Sequence, residues 1–176
     1  MRELPGSSHS NQREQLETTS WFAVVRAYLE CSKRYTQMLE HFDLTIAQYD
    51  VLRAIETLEG NAVPKAIADR LVVSRANITG LLRRLEERGL VKLRPHSQDA
   101  RSIVCTLTRR GRSLTDKAHA AAERFVRAQL EPFDNQSLAD VEALMRQMHR
   151  HLQTLDPKAL AAPGPGHNEL DRRANV

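Results

Sequence analysis

Aromatic residues make up only 5% of this 176-residue chain, and cysteine occurs twice. Each shortage excludes something. Cys31 and Cys105 stand far apart and fit no metal-ligand or redox spacing, so the expectation is a pair of reduced thiols in a reducing compartment. No apolar run approaches the ~20 residues of a membrane span. The opening stretch MRELPGSSHSNQREQLETTS lacks the apolar core of a signal peptide, and a cytoplasmic protein with no membrane partner is expected. The chain has no G-x-S-x-G, no P-loop, no Cys–His pair that sequence places together and no paired-carboxylate site, which argues against an enzyme. His41, His119, His149 and His151 offer no i, i+4 or H-x₃₋₅-H spacing, so neither a metal nor another cofactor is expected.

What is present is a globular composition, 41% hydrophobic, long enough for one domain with a core, and an uneven charge. Residues 64–112 hold 12 Lys/Arg against 4 Asp/Glu, whereas the remainder holds 14 against 18. Positive charge concentrated in one segment is what a phosphate-facing surface requires. A solvated basic face with no partner is the plainer alternative.

In chain order, residues 1–18 are polar, carry Pro5, Gly6 and several serines, and read as a disordered arm. Residues 19–42 read as a long helix, in which Trp21, Val25, Tyr28, Ser32, Tyr35, Leu39 and Phe42 alternate four and three apart. Thr45 to Gln48 forms a capping box for the next helix, which Gly60 and Asn61 end. Pro64 suits the first turn of a third helix. Ser74 caps a fourth, with Ile78, Leu81, Leu82 and Leu85 inward and Arg75, Ala76, Thr79, Gly80, Arg83 and Arg84 on the other side. Gly89 with Leu90 stops it. Two short β-type runs, 90–94 and 102–107, flank the turn residues 95–99. Thr108 caps a helix to about Glu131, and a last helix from about Asn135 to Leu155 lines up Leu138, Val141, Met145, Met148, Leu152 and Leu155. Residues 157–176 read as a disordered tail.

The organising stretch is residues 74–108, SRANITGLLRRLEERGLVKLRPHSQDARSIVCTLT: a basic helix, a glycine stop and a hairpin. The order of elements is a helix-turn-helix followed by a wing. The stretch VSRANITGLLRRLEERGLV, then Asp99-Ala100-Arg101, then Leu107-Thr108 leading to Gly111, resembles the MarR family of bacterial transcription regulators. The resemblance extends more weakly over Trp21 to Leu155. It implies a mainly α (α+β) fold, a winged helix-turn-helix with long N- and C-terminal dimerisation helices. The domain would span residues 19–156, with a DNA-binding lobe at about 45–108 and dimerisation helices at 19–42 and 109–155.

The expected partners are double-stranded DNA with a palindromic operator, a second copy of the chain, and a small aromatic or amphipathic effector. Ser74 offers the recognition helix a phosphate-binding N-terminus. Arg75, Asn77 and Thr79 lie where base edges are read, and Arg83 and Arg84 further along suit phosphates. Asn77 is alternatively a local helix-start residue. Gly80 suggests close approach, to DNA or to a packed helix. By family position Arg101 is the minor-groove arginine, oriented by Asp99, with Arg94 and His96 as backbone contacts; an ordinary hairpin ion pair is the plainer reading. Tyr28, Tyr35 and Tyr49 combine ring and hydroxyl and are candidate effector-lining residues, core packing being the alternative. The expected function is a homodimeric repressor released by an effector. A winged-helix protein-interaction module, or a thiol sensor using Cys31 or Cys105, are the alternatives. The reactive-cysteine position of the family's hydroperoxide-sensing branch falls near Trp21.

Overall fold

The computed structural model describes residues 7–58, 60–95 and 103–162. They fall into two compact units divided after Ala128, and each is taken by itself.

The first unit opens with α1 (Ser7–Glu40), which corrects the expected disordered arm over residues 7–18; residues 1–6 lie outside the described residues. The chain has no proline or glycine between Gly6 and Gly60. Within 7–18, Arg13 pairs with Glu17 one turn on, and Thr19 donates its hydroxyl back to the Gln15 carbonyl. Serines and glutamines suggested a loop, yet in this context they extend the helix. The lower part of α1 packs inward: Leu39 is buried, with Tyr35, Met38 and Phe42 against the core. Its upper part is open, with Leu16, Trp21, Phe22, Tyr28 and Leu29 exposed.

Helix α2 (Ile46–Thr57) carries the expected capping box between Thr45 and Gln48. Helix α3 (Pro64–Leu71) starts on its proline, and α4 (Arg75–Glu87) on Ser74, whose Oγ accepts from the Asn77 N–H. Strands β1 (Val91–Pro95) and β2 (Ile103–Leu107) pair antiparallel, Leu93 opposite Cys105. The Cys105 N–H also donates to the Ala62 carbonyl at 2.8 Å, so the segment before α3 serves as a third rung of the wing. Helix α5 (Arg109–Leu130) leaves the sheet.

Three helix ends use the same closure, a residue in left-handed geometry bracketed by backbone bonds to the last turn. At α4 it is Gly89 (φ 67°), with Leu90 N–H on the Leu85 carbonyl. At α1 it is Asp43 (φ 52°). At α3 it is Val72 (φ 56°, ψ 44°), where Val73 N–H reaches the Ala68 carbonyl. A β-branched residue there is strained, at a cost of about 1–2 kcal/mol.

Between the wing and α5 the backbones nearly touch. A Cβ on Gly111 would stand 1.9 Å from the Leu90 carbonyl oxygen. Thr108 joins the two: its hydroxyl donates to the Gly89 carbonyl and accepts from the Gly111 N–H. The core of this unit gathers Leu52, Ile55, Ile67, Ile78, Leu85, Leu90, Cys105 and Ala118.

The second unit contains α6 (Asn135–Leu152), capped by Asp134. Hydrogen bonds from the Ser137 side chain and from its N–H hold the Asp134 carboxyl below its usual range. No residue of α6 is buried, and Val141, Leu144, Met145, Met148 and Leu152 are exposed along it. Part of the expected disordered tail is instead α7 (Pro157–Ala161). Its start is favoured by Asp156, which accepts from the Lys158 N–H, and by Pro157 in the first turn. Among the described residues no helix is long and apolar enough to cross a membrane.

Candidate nucleic-acid interface

The outer face of α4 is assembled by burial of the opposite one. Ile78, Leu82 and Leu85 are fully inside, and at helical spacing this leaves Arg75, Asn77, Thr79, Arg83 and Arg84 exposed. The Ser74 cap absorbs the Asn77 N–H, while no hydrogen bond of the Asn77 carboxamide occurs among the described residues. Its side chain therefore does no local capping, which favours the base-reading alternative over the helix-start one. Thr79 donates its hydroxyl to the Arg75 carbonyl at 3.0 Å. That bond spends the hydroxyl within the helix and leaves the methyl for apolar contact, such as a thymine methyl. Arg83 sits 3.5 Å from Glu87, an exposed pair that costs little to separate.

Gly80 meets nothing within 4 Å of an added Cβ. The packed-helix explanation for this glycine is thus removed, because no neighbouring helix approaches it. A cavity of about 250 Å³ lies beside this face, with Lys65 of α3, Arg75 and Thr79 of α4, and Leu93 and Ile103 of the sheet on its walls. Arg94 is exposed on β1 opposite Val104. His96, Asp99 and Arg101 lie outside the described residues.

A sequence profile described as the MarR family matches residues 42–102, the segment that carries this face. The chain is 36% identical over 104 residues to the HTH-type transcriptional regulator TtmR of Methylorubrum extorquens, covering 59% of this chain and 53% of that protein. It thus spans about half of that relative's length. It is 26% identical over 144 residues to the organic hydroperoxide resistance transcriptional regulator of Bacillus subtilis, covering 82% and 94%. Residues 42–102 thus match the MarR family, and the relatives named are transcription regulators.

Solved structures agree on the MarR-type fold. The Staphylococcus aureus MepR–DNA complex matches with TM-score 0.68 at 21% identity, over 74% of this chain and 96% of that one. The organohalide-sensing regulator RdhR-CbdbA1625 in its 2,4-dichlorophenol-bound form matches with TM-score 0.70 at 15% identity, over 77% and 80%.

Two of the three candidate tyrosines come together. The Tyr35 and Tyr49 rings meet edge to face at 6.2 Å, and Phe125 meets Tyr35 edge to face at 5.2 Å. Tyr28 is 69% exposed and stands apart from them. Tyr49 Oη lies 3.1 Å from His119 Nδ1, and His119 Nε2 lies 3.7 Å from Glu123. Burial raises both phenols, and Tyr49 adds to the rise at Tyr35. Burial likewise raises the Asp50 carboxyl. Nearby, Glu56 pairs with Arg53 and, at 3.8 Å, with Arg112. Glu56 escaped sequence reasoning, which weighed His119 only as a metal ligand and not as a partner of Tyr49. The only signal for His119 was its isolation in the alanine-rich run 118–122.

Cys105 is buried, and desolvation with Glu86 nearby pushes its thiol up to about 11. A neutral, enclosed thiol is a poor nucleophile.

Proposed function

We propose that this regulator is a homodimeric repressor that reads a roughly palindromic operator and leaves it when a small effector binds. The observation that carries the DNA part is the outer face of α4: Arg75, Asn77 and Thr79 exposed together at its N-terminal end, with the hydroxyl of Thr79 turned inward. In this reading Ser74 places the helix N-terminus at a phosphate, Arg75 and Asn77 read base edges, and Thr79 offers its methyl. Arg83, Arg84, Arg94 and His96 contact the DNA backbone. Arg101 enters the minor groove, oriented by Asp99.

The dimer is supported by apolar side chains that neither unit covers: Trp21, Phe22 and Leu29 on α1, and Val141, Leu144 and Leu152 on α6. Large apolar side chains exposed along a helix in this way mark an interface. An effector is supported by the likeness to a regulator solved with a chlorophenol, and by the Tyr35, Tyr49 and Phe125 cluster, whose rings suit an aromatic guest. A thiol switch at Cys105 is disfavoured by its burial and raised pKa.

The test is footprinting of the DNA upstream of the gene. Protection of two half-sites about one helical turn apart, ~10 bp, is expected. Protection of one isolated half-site, or none, rejects the dimeric reading.

A further inference from the structure

One carboxylate on α4 stands where electrostatics disfavours it. Glu86 lies in the last turn of the helix, where the helix dipole opposes a negative charge. It also lies in the segment whose excess of cations suits phosphates. Its neighbour Glu87 is offset by Arg83 at 3.5 Å, whereas Glu86 makes no ion pair among the described residues. Its Oε1 instead accepts from the Leu93 N–H at 3.1 Å, a bond from the recognition helix to the wing.

The sheet geometry explains why that N–H needs an acceptor. The Cys105 N–H leaves β2 on its outer side, toward the Ala62 carbonyl. Cys105 and its partner Leu93 are therefore a non-hydrogen-bonded pair, and the Leu93 N–H points away from β2. Pro95, opposite Ile103, has the same parity, so its missing N–H costs no ladder bond. The hairpin is thus held from both edges, by the Ala62 carbonyl at β2 and by α4 itself at β1. A two-stranded ribbon is marginal alone, and its angle to α4 follows from what grips its edges. The Leu93 side chain lines the cavity beside Arg75 and Thr79, and Arg94 is exposed one residue further on.

We propose that Glu86 is a positioning residue, whose carboxylate fixes the wing strand against the recognition helix so that Arg94 meets the DNA backbone in register with Arg75 and Asn77. The proposal rests on the DNA reading above, while the bond to Leu93 belongs to the free protein. Charge alone makes the opposite forecast: a carboxylate near phosphates repels them, and its removal would tighten the complex.

The experiment has two arms, both on the full chain. In the first, without DNA, ¹⁵N NMR follows hydrogen exchange at the Leu93 amide. Glu86→Ala should speed that exchange at least about tenfold with thermal unfolding in place. Glu86→Gln keeps an acceptor oxygen and should hold it within about threefold of the wild type. In the second, fluorescence anisotropy on the footprinted fragment compares Arg94→Ala in the wild-type and Glu86→Ala backgrounds. Arg94→Ala should weaken binding about tenfold in the first background and less than about threefold in the second. Glu86→Ala alone should weaken binding at least about threefold, and Glu86→Gln should bind at least as tightly as the wild type. A role in stability alone would leave the Arg94 penalty equal in both backgrounds.

Unchanged Leu93 exchange in Glu86→Ala, an equal Arg94 penalty in both backgrounds, or tighter binding by both Glu86 variants would each overturn the proposal. If one of these occurs while Arg75→Ala still loses the operator, the DNA reading survives without it. If Arg75→Ala binds as the wild type does, the DNA reading itself fails and takes the proposal with it, whatever the Leu93 amide shows.

Discussion

The two units of this chain solve the burial problem in opposite ways. The first encloses its own core: Leu52, Ile67, Ile78, Leu85 and Leu90 are all at most 0% exposed. The second presents Val141, Leu144, Met145, Met148 and Leu152 outward and buries nothing along α6. A reader of DNA needs rigid presentation of one helix, which a closed core supplies. An amphipathic helix with no core of its own is stable only against a partner surface. The contrast therefore separates the unit that encloses its core from the unit whose apolar side chains the proposed dimer would cover.

The largest predicted effect attacks the closed unit at its tightest point. Gly111→Ala would drive a methyl group into the Leu90 carbonyl, and a loss of about 3 kcal/mol or more is expected; urea denaturation measures it. Leu85→Ala, at a fully buried site, should cost about 2–4 kcal/mol by the same method. Leu144→Asp on α6 sharpens the comparison. It should change the first unit's unfolding by less than about 0.5 kcal/mol while shifting sedimentation toward monomer. A variant that unfolds the lobe, or one that leaves the mass unchanged, breaks the contrast.

Smaller effects run in the stabilising direction. Val72→Gly removes the penalty of left-handed valine and should gain about 1 kcal/mol in thermal or urea denaturation. Gly80→Ala has open space for its methyl and should gain about 0.5–1 kcal/mol. If it also weakens DNA binding, close approach to DNA is the reason for the glycine. The smallest effect concerns Cys105, whose thiol stands at about 11 against an ordinary 9.0. Because the folded state favours the protonated thiol, its contribution is full below pH 9 and is lost as pH rises toward 11. Alkylation of Cys105 at pH 8 should accordingly be slow unless the protein is unfolded first.

Sequence reasoning read best where one residue dictates one local bond. Thr45, Ser74 and Thr108 announced their caps, Pro64 its first turn and Gly89 its stop, and each does so in the structure. It failed where local composition is outvoted. Serines and glutamines at 7–18 looked like a mobile arm, but nothing in them breaks a helix that the following residues propagate. Val72 gave no sign of left-handed geometry, because the preference of valine runs the other way and the closure of α3 overrides it. The Ala62 rung on β2 and the His119 contact to Tyr49 join residues more than forty positions apart. No periodicity records such contacts. Of the candidate site, the exposed face of α4 was legible from spacing alone, since burying Ile78, Leu82 and Leu85 fixes what remains outside.

The central claim is that the N-terminal end of α4 reads DNA, and fluorescence anisotropy on the footprinted fragment tests it most directly. Wild-type protein and Arg75→Ala are titrated across a range of salt concentrations. The wild type should lose affinity steeply, with a log–log slope of about 0.9 per phosphate neutralised. Arg75→Ala should cost about 1–3 kcal/mol of affinity for that sequence with its fold intact. A folded Arg75→Ala protein that binds as the wild type does, or a wild-type complex indifferent to salt, would contradict the account.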